Sequence, residues 1–301
     1  CECTLQTVMV VDVLQEIPPN AIGYFCNHIL KRDWPNSIHV YYFIKTMTEW
    51  REKRAGVRVS LLCMEGNIED GTFIGLLFSE LGSCTMLAYT QEDSCERLTR
   101  ALKETRRIKW CEPLMFEAVL QKHTSAVHSV ARLKGLETSV YAQSNILYMP
   151  STNAKSLRLT CPADVYMAPL KQSHLPYIHS VWAHNDIYTL RELQTTLRLN
   201  GGFGVFRATD HQLLCWALHT HYGGVGVLQT RSDCGGKGYA RLVVNCISQA
   251  LGTLGISPHV CVMDANLKSL SLFRSAGYQH VSSVQYITVH DSSSSDSSSS
   301  S

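Results

Sequence analysis

The 301-residue sequence is poor in charge: Lys and Arg number 27 against 25 Asp and Glu, the formal net charge is +2, and charged residues make up 17% of the chain. That balance excludes the one-signed stripe of a nucleic-acid binder and the basic helix of a membrane-surface binder, so no nucleic acid and no membrane is expected as a partner. Apolar runs long enough to cross a bilayer are missing, as is a basic segment leading into an apolar core near the start. Twelve cysteines are present, yet none stands in a Cys-x-x-Cys pair and their scatter makes no disulfide framework. Cys63, Cys215, Cys246 and Cys261 sit inside apolar runs, where cysteine behaves as a small hydrophobe. They read as reduced thiols of an intracellular protein, cytoplasmic or mitochondrial. No histidine pair has zinc-ligand spacing beside cysteines, so no metal is expected.

What is present is material for a core. Hydrophobic residues make up 45% of the chain, and the length favours two domains. In the first half, Ile38–Ile44, Val57–Cys63, Phe73–Phe78 and Cys84–Thr90 are short runs rich in β-branched and aromatic residues and read as strands. A helix is expected from Asp93 to Ile108 behind an Asp93-x-x-Glu96 capping box, and one or two more helices from Pro113 to Leu133. Trp50, Trp110 and Tyr41 read as core or groove-lining aromatics. No compact set of catalytic residues stands out in this half. Between 149 and 164 the composition turns to Pro, Ser, Thr, Asn and Lys without periodicity, which marks a linker. Residues 1–155 and 160–290 are therefore expected as two domains, with 291–301 a disordered serine-rich tail.

The second half opens with two helices, over Leu175–Trp182 and Leu190–Leu197, the second ending at Asn200-Gly-Gly202. Three strands follow at Phe203–Ala208, Leu213–His219 and Gly224–Thr230. From Val227 to Ala240 the chain passes from strand to helix through a glycine-rich turn. Helix N-terminal N–H groups, approached over glycines without a Cβ, make an anion site. The nucleotide-triphosphate loop is ruled out because Lys237 is followed by Gly238, and the dinucleotide fingerprint because Arg241 stands where its third glycine belongs. A helix with one apolar face runs from Tyr239 to Gly252, then a buried strand at His259–Met263, then a short capped helix leaving through Gly277-Tyr278, and a last strand at Val284–Val289.

Strand, glycine turn, helix, strand, then Asn266-x-x-Ser269-x-x-Leu272-Phe273-x-x-x-Gly277-Tyr278, together resemble the acyl-CoA-binding half of the GNAT superfamily of N-acyltransferases. That superfamily's first signature falls on Gly235, Gly236, Lys237, Gly238, Tyr239 and Ala240, with glycine at 235 where Arg or Gln is usual. Within it, the chain is similar to the glycine N-acyltransferase-like proteins, through Leu102–Trp110, Asn200–Phe206, Leu214-Cys-Trp216 and Gly226–Thr230. The resemblance implies an α/β fold of α+β type: tandem GNAT-like halves, each a mixed, mostly antiparallel sheet flanked by helices, with the acyl-CoA site in the C-terminal half. It implies acyl-CoA or acetyl-CoA as co-substrate, a small amine or amino acid as acceptor, and a monomer. A catalytically weak acyl-CoA binder and a protein lysine acyltransferase are the alternatives.

By the same resemblance, backbone N–H groups at Leu228, Gln229 and Thr230 polarise the thioester where the central strands splay. Gly235–Ala240 cradle the pyrophosphate, with Arg231 or Lys237 replacing the missing side chain at 235. Asn266 holds the strand splay or the pantetheine arm, and Ser269 and Phe273 belong to the same cofactor-binding set. Phe273 stands where a proton-donating tyrosine is common, and Gly224 where related proteins carry a glutamate base. His219 and His221, two apart, are the nearest replacements as base, since an imidazole titrates near neutral pH.

Overall fold

The computed structural model describes residues 11–53, 56–79, 83–185 and 188–291. Residues 292–301 of the expected serine-rich tail lie outside them, and Asp291 closes the last strand. The first half runs β1 (Leu14–Glu16), α1 (Pro19–Tyr24), α2 (Ile38–Glu52), β2 (Arg58–Met64), β3 (Phe73–Phe78), β4 (Cys84–Tyr89), α3 (Glu96–Glu104), β5 (Leu114–Leu120), α4 (Thr124–Leu133) and β6 (Leu136–Tyr148). The second runs α5 (Ser151–Lys155), β7 (Val165–Pro169), α6 (Leu175–Val181), α7 (Leu190–Asn200), β8 (Gly202–Arg207), β9 (Leu213–His219), β10 (Val225–Thr230), α8 (Tyr239–Thr253), β11 (His259–Met263), α9 (Leu267–Ser275) and β12 (Gln279–Asp291).

Three first-half expectations are corrected. Ile38–Ile44 is not a strand but the start of α2, and every residue in it is buried. A run buried on all sides has no periodicity to separate helix from strand. Pro113–Leu133 is β5 followed by α4, not helix throughout, and β6 is a strand where none was expected because it is polar along most of its length. The start of α3 uses no Asp93–Glu96 box: its N-cap is Cys95, and the Arg97 amide donates to Glu92 Oε2 at 2.8 Å.

Eight strands form one sheet in the order β1-β2-β3-β4-β5-β12-β6-β11, and four form a second, β10-β9-β8-β7. β4 and β5 are parallel, and the other paired strands are antiparallel. Although the composition shifts at 149–164, the hydrogen bonding crosses that boundary. β12, from the end of the chain, lies between β5 and β6, with Val284 opposite Leu120 on one side and Ser144 on the other. β6 in turn pairs with β11, Ile146 opposite Cys261.

Helix α2 covers one face of the large sheet with Phe43, Met47 and Trp50, while α3 and α4 cover the other with Leu98, Leu102, Val127 and Val130. On the small sheet, α8 buries Tyr239, Leu242, Val243 and Ile247 on one face, and α6 and α7 bury Leu175, Ile178, Leu193 and Leu197 around Trp216 on the other. Val244 and Ser248 of α8 are buried as well, Val244 packing with Phe273 and Leu270 of α9, so this helix is wedged between two layers.

Several histidines are buried. His259, fully buried, stacks on Tyr42 at 5.5 Å and has no hydrogen bond at either ring nitrogen among the described residues. Burial, reinforced by His39 and His219, holds it well below the ordinary imidazole value. Burial likewise takes His39 to about 3 and His123 to about 4. These rings stay neutral in the fold but charge near pH 6.5 when unfolded, so the unfolded chain binds more protons below that pH. Stability is accordingly complete above about pH 6.5 and falls as the pH drops toward the folded values, by up to about 1.4 kcal/mol per pH unit for each ring. Urea midpoints at about pH 7 and about pH 5 check this, and an unchanged or higher midpoint in acid contradicts it.

Candidate active site

The two sheets meet edge to edge. β10 ends one and β11 ends the other, and no ladder joins them. Edge strands carry unpaired N–H and C=O groups, so the gap between them is lined by backbone hydrogen-bonding capacity. β10 is also distorted: Gly226 pairs with Leu218 and Gln229 with Trp216, leaving Val227 and Leu228 together opposite Ala217. This bulge places Val227 at a φ of +52°, a conformation that a β-branched residue rarely takes. Strain of this kind gathers at functional sites.

A cavity of about 300 Å³ opens at the splay. Leu228, Gln229, Val260 and Val262 line it from the two edges, and Asn266, Ser269 and Phe273 of α9 line one end. Asn266 caps that helix, accepting from the Ser269 amide at 3.1 Å. Phe273 is 1% exposed and packs edge-on to Tyr278 at 5.1 Å. The Tyr278 hydroxyl is committed to Ser248 at 2.7 Å. Thr230 falls outside the lining, its hydroxyl donating to Cys215 Sγ at 3.1 Å.

The glycine turn leads into α8. Gly236 and Gly238 have φ of +77° and +79°, and Gly238 is the N-cap. A Cβ added at Gly235, Gly236 or Gly238 would meet nothing within 4 Å, so open space, not packing, surrounds them. The first turn of α8, with Tyr239 and Ala240, carries no acidic residue. Its free N–H groups and positive dipole end thus fit a pyrophosphate. Arg231 is already engaged: its Nε and Nη2 donate to Asp233 at 3.0 Å each and its Nη1 to Gln212 at 3.2 Å. Lys237 is exposed in the turn. Tyr239 is buried, its hydroxyl donating to Asp164 at 3.3 Å.

The two candidate histidines part company. His219 ends β9, whereas His221 lies in the turn beyond it, so strand alternation does not put them on one face. His221 lines the cavity; His219 does not. The His221 ring, 7% exposed, meets a residue with no counterpart in the sequence reading: its Nε2 is 2.9 Å from Oε2 of Glu117, on β5, which is 3% exposed. Oε1 of Glu117 accepts from the Tyr188 hydroxyl at 2.8 Å. Burial pushes this carboxyl up, but the His221 charge and the hydrogen bonds from His221 and Tyr188 outweigh it, and the net effect is to hold it below the usual range. An ionised Glu117 requires Nε2 to donate, which places the lone pair of a neutral His221 on Nδ1. Glu117 sits in an apolar run, Leu114–Leu120, and only its charge within a buried strand hints at a role.

Residues 202–287 match the family described as FR47-like protein, and residues 13–130 match a domain of unknown function, DUF5645. No curated protein matches the chain. A Drosophila protein solved by X-ray crystallography is similar over 92% of this chain and 98% of its own, at 18% identity and a TM-score of 0.83. A tandem GNAT protein from the clavulanic acid biosynthesis pathway is similar over 91% of this chain and 98% of its own, at 10% identity and a TM-score of 0.52. The fold is a tandem GNAT fold. A GCN5-related N-acetyltransferase from Sphaerobacter thermophilus is similar over 82% of this chain and 84% of its own, at 10% identity and a TM-score of 0.50. His221 and the splay lie within the FR47-like match, while Glu117 comes from the region that matches the domain of unknown function.

Gly224, where the sequence resemblance expects a glutamate base in similar proteins, has no room for that side chain. A Cβ at this position would stand 2.9 Å from the His259 carbonyl oxygen and against the Tyr222 ring, and the Gly224 carbonyl closes a turn by accepting from the Thr220 amide at 2.8 Å. Gly224→Glu is expected to cost about 1–3 kcal/mol of stability without raising any acyl-transfer rate, read by thermal melting beside a thiol-release assay.

Proposed function

We propose that this protein is an acyl-CoA-dependent N-acyltransferase that moves an acyl group from a CoA thioester to a small amine or amino acid, in the manner of the glycine N-acyltransferase-like proteins. The observation carrying this reading is the buried Glu117–His221 pair facing the cavity at the β10–β11 splay. A binding protein has no need of a buried carboxylate held against an imidazole there, since burying a carboxylate is costly.

The α8 N-terminus and its glycines hold the pyrophosphate, and the edges of β10 and β11 flank the pantetheine arm. The bulged backbone at Val227 and Leu228 faces the thioester oxygen and stabilises the negative charge that develops on it. His221 Nδ1 takes the proton of the attacking amine while Glu117 stabilises the resulting imidazolium. A C–N bond forms, the C–S bond breaks, and the sulfur leaves with its electron pair. Phe273 supplies no proton to it, so that proton comes from His221 or solvent; a thiol with an ordinary pKa near 8.5 is a tolerable leaving group.

One observation favours acyl-CoA binding without turnover: the cavity end is closed by Phe273 instead of a phenol. Incubation of the full chain with acetyl-CoA and a panel of small amines separates the two readings. Acyl transfer predicts amine-dependent thiol release together with the N-acyl product by mass spectrometry; binding alone predicts release no faster than hydrolysis.

A further inference from the structure

The Tyr222 ring lies at the base of the β10–β11 splay. Its hydroxyl donates to the Val225 carbonyl of β10 at 3.4 Å, and the ring meets His259, the first residue of β11, edge-on at 5.7 Å. Gly224 and Gly226 make this placement possible. A Cβ at Gly224 would run into the Tyr222 ring, and one at Gly226 would stand 3.2 Å from the Tyr222 hydroxyl and 2.6 Å from Thr220 Cγ2. The ring thus takes up room that side chains at the start of β10 would otherwise claim. Its direction is set by the turn that carries it: the Thr220 amide and hydroxyl both donate to the Gly224 carbonyl, at 2.8 and 3.0 Å, and Gly223, at a φ of +72°, lies against Tyr42 of α2 with no space for a Cβ. Tyr222 lines the cavity beside Gly226, Val227, Leu228 and Cys261.

Building on the acyl-transfer reading, we infer that Tyr222 sets the acyl specificity: its ring is the floor of the acyl pocket and limits the donor to short acyl thioesters, acetyl or propionyl. The pyrophosphate cradle at α8 follows the C-terminal end of β10, so the pantetheine arm runs back along β10 from Thr230 and brings the thioester to the bulge at Val227 and Leu228. The acyl group continues toward Gly226, where the ring stands. Leu228 and Gly226 are separated along the strand by at most about 7 Å, of which van der Waals contact with the ring takes about 3.5–4 Å. What remains holds a methyl or ethyl group. A longer chain cannot turn aside toward His221, because the attacking amine must stand there. Nor is the ring free to swing away, since it is held between the rings of His221, at 5.3 Å, and His259.

Calorimetry on the full chain tests this without requiring turnover. Free CoA, acetyl-CoA and hexanoyl-CoA are titrated into the native protein, Tyr222→Phe and Tyr222→Ala, and each thioester's affinity is read relative to that of free CoA for the same protein. In the native protein and in Tyr222→Phe, which keeps the ring, hexanoyl-CoA is expected to bind at least about tenfold more weakly than acetyl-CoA, whereas in Tyr222→Ala the two are expected to bind within about twofold of each other. Hexanoyl-CoA bound as tightly as acetyl-CoA by the native protein overturns the inference whatever the variants do. So does a preference for acetyl-CoA that persists undiminished in Tyr222→Ala or, if that variant does not fold, in Tyr222→Leu. If the discrimination follows Tyr222 and yet no amine drives thiol release, the acyl pocket stands and the acyl-transfer reading falls. Amine-driven release from acetyl-CoA and hexanoyl-CoA at equal rates has the opposite meaning: transfer stands and the floor falls.

Discussion

His221→Gln is expected to lower kcat/KM for amine acylation by about 10²–10⁴-fold while moving the acyl-CoA dissociation constant by less than about twofold. The first half follows from the site: glutamine can still donate to Glu117 but has no lone pair of useful basicity, so the attacking amine keeps its proton. The second follows from distance along the fold, since the proposed pyrophosphate cradle belongs to α8 and the proposed pantetheine edges to β10 and β11, while His221 lies in the turn before β10. Alanine is the poorer choice. It leaves the Glu117 carboxylate buried with Tyr188 as its remaining hydrogen-bond donor, and removing one partner of a buried pair costs about 3–5 kcal/mol. Glu117→Gln keeps the volume and removes the charge that fixes the ring's tautomer, so it is expected to reduce kcat more than KM. Initial rates of thiol release together with CoA calorimetry read all of these. Equal kcat/KM in the native protein and His221→Gln contradicts the assignment.

The C-terminal half expressed alone, residues 160–291, is expected not to fold. Its β11 pairs only with β6, and its β12 is sandwiched between β5 and β6, so all three ladders are lost together. Val284, Ile287 and Val289 of β12 are buried against first-half residues, and burying each contributes about 1.5–3 kcal/mol. Three such residues therefore account for roughly 5–9 kcal/mol, comparable to the whole stability of an ordinary domain at about 5–15 kcal/mol. Circular dichroism and amide NMR dispersion of the isolated half check this. Co-expression with residues 1–159 is expected to restore a folded complex, and a folded, monomeric C-terminal half on its own contradicts the dependence of β11 and β12 on the first half's sheet.

These two expectations also mark where the sequence was and was not legible. The C-terminal half could be read because its signals are local: the meander has strands joined by short turns, and the glycine turn and the Asn266 cap announce themselves within a few residues. The entry of β11 and β12 into the first half's sheet could not, because β12 and β6 find partners more than a hundred residues away and a ladder leaves no trace in either strand alone. β6 was invisible for a further reason: over 137–143 most of its residues are exposed, so its polar stretch carries no apolar alternation. Ile38–Ile44 misled in the opposite sense, since a helix buried all round looks like a strand. At the site, His221 was in view and Glu117 was not. Their meeting depends on the two halves closing on each other, and a single carboxylate in an apolar strand carries no spacing rule that would point to a histidine 104 positions later.

The central claim, that the His221 ring takes the amine proton, is tested most directly by chemical rescue. His221→Gly opens a space at the cavity wall, and free imidazole added to that variant is expected to raise amine-dependent thiol release in a saturable manner by about tenfold or more while leaving the native protein unaffected. Activity in His221→Gly that is already near native, or that stays lost at every imidazole concentration in a variant that remains folded and binds acyl-CoA, contradicts it.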